Sequence, residues 1–161
     1  MGGRSSENSK GRTSSRDHVF KDGMGSYVIH TIRGLIARVP GGGANAQLVD
    51  EAGRPMVLPP NAVIDSVTVQ GALQSNAGTT ATISVGKSGS VAFYLPALDV
   101  KGTTGVGFPN LSGAASPANL FGNQGSAAVP IFGQYLETGA ASTTGGPWAV
   151  EIDYHYSVPQ S

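Results

Sequence analysis

The chain has 161 residues, of which 39% are hydrophobic and only 12% are charged. This charged fraction is about half of the value usual for soluble domains, so we expect a mostly neutral surface. The absence of cysteine excludes disulfide bonds and thiol chemistry. With 24 glycines and 10 prolines the chain is too often interrupted for a helical bundle, and it has no apolar run long enough to span a membrane.

Residues 1–25 have the composition of an extended N-terminal arm. Between Met1 and Met24 the only sizeable apolar residues are Val19 and Phe20. Such a segment buries too little surface to offset an ordering cost of about 1–2 kcal/mol per residue. We therefore predict two parts, a basic arm over residues 1–25 and one β-domain over residues 26–161.

The arm contains five basic and three acidic residues, whereas the whole chain balances ten against ten. An arm that binds nucleic acid is usually denser in Lys and Arg, so we expect a protein partner and do not expect nucleic acid. The remaining interpretation is a solvated tail. The predicted contact residues of the arm are Arg4, Lys10, Arg12, Arg16, Val19, Phe20 and Lys21.

Short β-rich segments separated by turn residues follow the arm. Residues 27–32 and 35–39 are predicted strands, each ended by glycine or proline. The turn-like sequence at residues 50–53 lies between two further apolar segments, 47–49 and 55–58. This arrangement indicates a hairpin.

Alternation of apolar and polar residues predicts a half-buried strand over residues 62–73. We expect Val63, Val67, Val69 and Leu73 to share its buried face, because successive side chains of a strand point to opposite sides.

Three more strands follow from the same pattern. They are predicted over residues 80–86, over residues 91–95 with an end at Pro96, and over residues 148–158. In the last segment every even position is apolar, which no helix could present on one face. The residues expected on its buried side are Trp148, Val150, Ile152, Tyr154, Tyr156 and Val158.

The pattern fails between Pro96 and Pro130, where glycines are frequent. Loops of this length are uncommon unless they bind something or are disordered. Within the loop, residues 116–122 read as one helical turn with a cap at the start and glycine at the end. Leu120 and Phe121 of this turn would need a partner, so we add them to the predicted contact residues.

Catalytic and metal-binding patterns are weak. The chain has three histidines, and Asp153 and His155 would share one strand face but lack a third metal ligand. Residues 81–88 resemble a phosphate-binding loop, yet their alternation predicts a strand where that motif needs a loop. We therefore expect no enzyme activity, no metal and no cofactor.

Residues 58–64, 67–69 and 80–86 together resemble the small virion proteins of tailed bacteriophages known as head decoration or cement proteins. Residues 129–135 and 148–154 have the same character, so the resemblance covers roughly residues 56–158. It implies a jelly roll or sandwich that clamps neighbouring major capsid protein subunits and associates as a trimer or dimer. Low charge and zero net charge independently favour association.

The sequence thus predicts an all-β, jelly-roll-like antiparallel sandwich with an extended N-terminal arm. The expected function is a cement protein on the capsid exterior of the virion, with the major capsid protein and further copies of itself as partners. The alternative is a head-fibre or glycan-binding module that would use Trp148, Tyr94 or Tyr156 as a stacking platform. A hydrolase is a third and weaker hypothesis.

Overall fold

The computed structural model describes residues 18–22, 25–71, 73–101 and 122–157, with the backbone alone for 18–22 and 25–27. Within these ranges the chain forms nine strands and no helix that could cross a bilayer. The strands are β1 (His18–Asp22), β2 (Gly25–Ile36), β3 (Ala46–Gln47), β4 (Val57–Leu58), β5 (Ala62–Gly71), β6 (Thr80–Lys87), β7 (Ser90–Asp99), β8 (Val129–Thr138) and β9 (Trp148–Tyr156).

The strands form two antiparallel sheets. The first sheet has the order β1-β2-β9-β5. The second has the order β3-β8-β6-β7, and β4 also pairs with β8. The predicted all-β antiparallel sandwich is therefore confirmed, whereas the jelly-roll topology stays a prediction.

The core lies between the two sheets and draws on both. Val67, Val150 and Ile152 of the first sheet and Ile83 and Ile131 of the second belong to one buried cluster. The largest buried side chains include Trp148 and Tyr135, whose rings stack with centroids 5.2 Å apart. This stack joins β9 to β8 across the sandwich.

Strand β9 confirms most of the predicted alternation. Trp148, Val150, Ile152 and Tyr154 are all buried, with at most 7% of their surface exposed. Tyr156 was expected in the core, but 46% of it is exposed because it is the last residue of the strand and pairs with Ala62, the first residue of β5. Val158 lies outside the described residues.

The buried face of strand β5 differs from the face predicted for residues 62–73. Ile64 pairs with Tyr154 and Ser66 with Asp153, so Asp65 is an extra residue that forms a β-bulge. The bulge places Ile64, Val67 and Val69 on the core face, and Val63 on the opposite face from Val67. Leu73 lies beyond the strand and is 48% exposed, so its predicted burial is wrong.

Strand β2 is continuous where the sequence predicts two segments, and residues 37–39 lie outside it. Gly34 does not interrupt the strand because it allows close packing. A Cβ atom there would lie 2.8 Å from Met56 Sδ and 2.9 Å from Leu48 Cβ. Glycine is thus required by the neighbouring chain.

Strand β7 runs through Pro96, where the sequence predicts its end. The pairing with β6 shifts between Leu98 and Leu95, so Pro96 and Ala97 lie in a bulge. Ala97 has a positive φ of 35°, and its N–H donates to Ser84 Oγ at 3.1 Å. Proline is tolerated there because a bulge does not need every ladder hydrogen bond.

Candidate functional site

The structure describes little of the predicted contact set. Val19, Phe20 and Lys21 lie in β1, which pairs with β2 from His18 opposite Ile29 to Asp22 opposite Gly25. This hairpin straddles the boundary predicted between residues 25 and 26. The other predicted contact residues lie outside the described ranges, namely Arg4, Lys10, Arg12, Arg16, Leu120 and Phe121. The predicted helical turn at residues 116–122 also lies mostly outside them.

The outward face of the first sheet carries charged residues, and hydrogen bonds join side chains of neighbouring strands there. The Asp153 carboxylate accepts from the Thr31 hydroxyl at 2.5 Å and from the Ser66 hydroxyl at 2.9 Å. Asp153 therefore links β2, β9 and β5 in one row. In the next row Arg33 lies 3.8 Å from Glu151, an exposed pair of small energetic value.

The β5 bulge gives His155 a carboxylate partner. Its Nδ1 atom lies 2.9 Å from Asp65 Oδ1 and 3.0 Å from Oδ2. Asp153, which the sequence places on the same strand face, is held by two hydroxyls. Among the described residues no three His, Asp or Glu side chains are grouped as a metal site would require.

The outward face of the second sheet has a different character. No ionisable residue occupies the outward positions of β6 and β8, where alternate residues face away from the core. Leu136 is 45% exposed there and lies opposite Thr82. Thr80, Phe132, Gln134 and Thr138 also belong to this uncharged face, whereas Ser84 is buried beside Ala97. The face is bordered by Asp99 of β7, which lies opposite Thr82. An uncharged sheet surface that presents an exposed leucine is a candidate protein contact.

A groove of about 760 Å³ opens beside β2, between that strand and the turn at residues 50–55. The predicted hairpin is present here, with a bridge between Val49 and Pro55. Its turn is organised by Asp50, whose carboxylate accepts from the backbone N–H groups of Ala52 and Arg54, each at 2.9 Å. The Arg54 backbone bond, with smaller contributions from its side chain, lowers the pKa of Asp50.

The aromatic residues at one end of this groove form a cluster. The His30 ring stacks on Tyr154 at 5.4 Å between centroids and meets the edge of Tyr156 at 5.3 Å. By contrast, Trp148 and Tyr94 are at most 2% exposed, and burial raises the pKa of Tyr94 to about 12. Of the three stacking platforms predicted for a glycan, only Tyr156 is accessible among the described residues.

The strand expected over the phosphate-loop-like sequence is confirmed as β6. Gly86 of that sequence is a packing residue, since a Cβ atom there would lie 2.1 Å from the backbone oxygen of Ser90. Apart from the residues of β6, neither the uncharged face nor the groove was predicted as a contact. The Thr and Ser alternation of β6 signalled the face, but nothing local in the sequence marks the groove.

No protein-family model and no curated protein matches this chain. A solved structure, described as the cyanophage Pam1 capsid asymmetric unit, contains a chain of similar fold. The TM-score is 0.56 at 18% identity, and the similarity covers 94% of this chain and 100% of that chain. The fold is one found in a phage capsid.

Proposed function

We propose that this chain is a structural virion protein that binds the outside of a phage capsid and stabilises contacts between major capsid protein subunits. The observation that carries the proposal is the fold similarity to a chain of the cyanophage Pam1 capsid asymmetric unit over the whole of that chain. Two features support it, the uncharged outward positions of β6 and β8 and the low charge of the whole sequence.

The proposed mechanism is mechanical. The uncharged face of β6 and β8 lies against the shell, and Leu136 supplies its apolar anchor. The residues of the arm, Arg4, Lys10, Arg12, Arg16, Val19, Phe20 and Lys21, and the loop residues Leu120 and Phe121, are proposed as further contacts. Because many copies act together as dimers or trimers, weak individual contacts add to a stable coat.

A matched pair of substitutions tests this mechanism. Leu136→Lys places a charge on the uncharged face, and Thr68→Lys places the same charge on the outward face of the first sheet, opposite Glu151. We expect Leu136→Lys to weaken binding to capsids that lack the protein by about tenfold or more, since an apolar anchor is lost at the contact. Thr68→Lys should bind like the wild type.

The measurement is the occupancy of purified capsids as a function of added protein, by sedimentation and electron microscopy. A wild-type chain that never sediments with capsids would overturn the proposed function. Equal occupancy for both lysine variants and the wild type would remove the β6–β8 face from the mechanism.

The exposure of Tyr156 favours a second candidate, a head-fibre or glycan-binding module. The residue is 46% exposed and its ring lies beside His30, so a sugar could stack on it. This candidate predicts saturable binding on a glycan array that Tyr156→Ala abolishes. Failure of the wild type to bind any glycan would exclude it.

A further inference from the structure

Three loops meet at one end of the sandwich, where β5 and β8 end and β9 begins. They are residues 37–45, 73–79 and 139–147, which we call the loop end. These loops contain a single ionisable residue, Arg38, whereas the short turn at residues 50–54 contains three. Protein interfaces are depleted of charged residues at their centre, so an uncharged set of loops is suited to burial against a partner.

The loop end presents exposed apolar side chains. Val39, Leu73 and Leu136 are 42%, 48% and 45% exposed. They are three of the five large apolar residues that are exposed among the described residues. A single exposed apolar residue is common on a protein surface, whereas a group of them marks a contact surface.

The turn at residues 41–43 connects two of these apolar residues. A Cβ atom on Gly43 would lie 3.1 Å from Val39 Cγ2, and one on Gly42 would lie 3.6 Å from Leu136 Cδ2. Leu136 is also the exposed leucine of the uncharged β6–β8 face. The loop end and that face therefore form one continuous surface.

The third loop connects Leu73 to the same surface. The Gly146 N–H donates to the Leu73 carbonyl oxygen at 2.9 Å. A Cβ atom on the preceding Gly145 would lie 3.3 Å from Cδ of Arg38, the residue before Val39. The exposed apolar residues are thus joined by glycine-rich backbone.

Hydrogen bonds within the loop end hold the loops in place. The Asn76 side chain accepts from the backbone N–H groups of Thr143 and Thr144 at 2.8 and 2.9 Å. It also donates to the Thr143 hydroxyl at 2.9 Å, and Arg38 Nη1 donates to the Ser142 carbonyl oxygen at 2.6 Å. Because the loops are already ordered, binding of a partner costs little conformational entropy.

We propose that the loop end is part of the contact with a capsid subunit, which covers Val39 and Leu73 together with Leu136. This inference rests on the proposed function, which assigns Leu136 to the shell contact. Since Leu136 borders both surfaces, a partner that covers the β6–β8 face also reaches the loop end. The subunit surface that fits is uncharged, because the one ionisable side chain of the loop end is already engaged by Ser142.

A second copy of this chain is the competing occupant, since an uncharged surface can also pair with itself. A copy bound at the loop end would cover Leu136 and displace the shell from the β6–β8 face. The capsid subunit is therefore the occupant that agrees with the proposed function.

A matched pair of valines tests the proposal. Val39→Lys places a charge on the loop end, and Val49→Lys places it on the hairpin beside β2, at a residue that is 39% exposed. We expect Val39→Lys to lower the affinity for capsids that lack the protein about tenfold or more, because the lysine must lose water at an uncharged contact. Leu73→Lys should act in the same way, and Val49→Lys should change the affinity by less than about threefold.

A photocrosslinking amino acid in place of Leu73 identifies the occupant without adding a charge. A crosslink to a capsid subunit supports the proposal. A crosslink to a second copy, or to another part of the same chain, overturns it. This measurement decides the proposal even if a lysine variant fails to fold.

The two proposals fail in different ways. If the wild type binds capsids and both Val39→Lys and Leu73→Lys bind equally well, the loop end is not a contact while the proposed function stands. An equal loss of affinity for Val39→Lys and Val49→Lys would also overturn the inference, since the effect would not depend on the loop end. Absence of any capsid binding by the wild type overturns both.

Discussion

Glu137 joins three segments of the chain through one carboxylate. One oxygen accepts from the backbone N–H groups of Gly41 and of Ser142, the latter at 3.0 Å, and the other accepts from the Tyr135 hydroxyl at 2.5 Å. Partial burial acts to raise the pKa of this carboxyl. The hydrogen bonds, first those from Ser142 and Tyr135 and then those from the backbone, outweigh it and lower the pKa to about 2.

This low pKa makes the stability of the fold depend on acid. Because the folded pKa lies below the unfolded value of 4.5, Glu137 stabilises the protein above about pH 4.5 and loses this effect as the pH falls toward 2. We expect Glu137→Gln to lower the urea midpoint at pH 7 and to differ less from the wild type at pH 3. A difference that stays constant over this range would contradict the assignment.

Single residues also show which features the sequence can and cannot specify. The glycines at 34 and 86 read as strand breakers, yet both lie inside strands because a neighbouring segment packs where a side chain would be. Their role depends on residues distant in sequence. Local propensity therefore predicts an interruption, and tertiary packing overrides it.

At the scale of elements, a strand was predictable where one of its faces is buried and its register is regular. β9 satisfies both conditions, and its alternation was read correctly from Trp148 to Tyr154. Alternation of apolar and polar residues does not predict the buried face beyond the bulges at Asp65 in β5 and at residues 96–97 in β7. One extra residue reverses the face to which each later side chain points. The faces beyond a bulge cannot be assigned until the partner strand is known.

The candidate contact surfaces also differ in how far the sequence predicts them. The polar alternation of β6 was visible in the sequence, and with it one half of the uncharged face. The groove beside β2 was not predictable, since only the folded chain brings the turn at residues 50–55 next to that strand. The neighbours of a strand depend on the strand order, which a single sequence does not state.

Because β1 pairs with β2, two truncations of the N-terminus should differ in their effect on thermal stability. Deletion of residues 1–17 leaves β1 intact, whereas deletion of residues 1–22 removes it. We expect the shorter deletion to preserve the thermal midpoint and the longer one to lower it by roughly 3–6 °C, for a loss of about 1–2 kcal/mol. Circular dichroism melts measure this. Identical midpoints for both truncations would mean that β1 adds no stability.

At the scale of the whole molecule, the two sheets present unlike surfaces to the outside. The first carries Arg33, Glu151, Asp153 and the Asp65–His155 pair, while the outward positions of β6 and β8 carry no charge. Charged surfaces remain hydrated at low energetic cost, and uncharged ones are more readily buried against a partner. The molecule is thus two-sided, with the β6–β8 part of the second sheet suited to a permanent contact, Asp99 of β7 at the border of that part, and the first sheet suited to solvent.

This asymmetry predicts how capsid binding depends on salt. Contacts through the uncharged face should respond weakly to ionic strength, whereas the four basic residues within residues 1–17 should respond strongly. Between about 0.05 and 0.5 M salt, we expect the full chain to lose affinity for capsids and the chain without residues 1–17 to change little. Titration of capsids at several salt concentrations measures both slopes. Equal slopes would show that residues 1–17 contribute no electrostatic contact, and a steep slope in the truncated chain would place the charged contact on the rest of the protein.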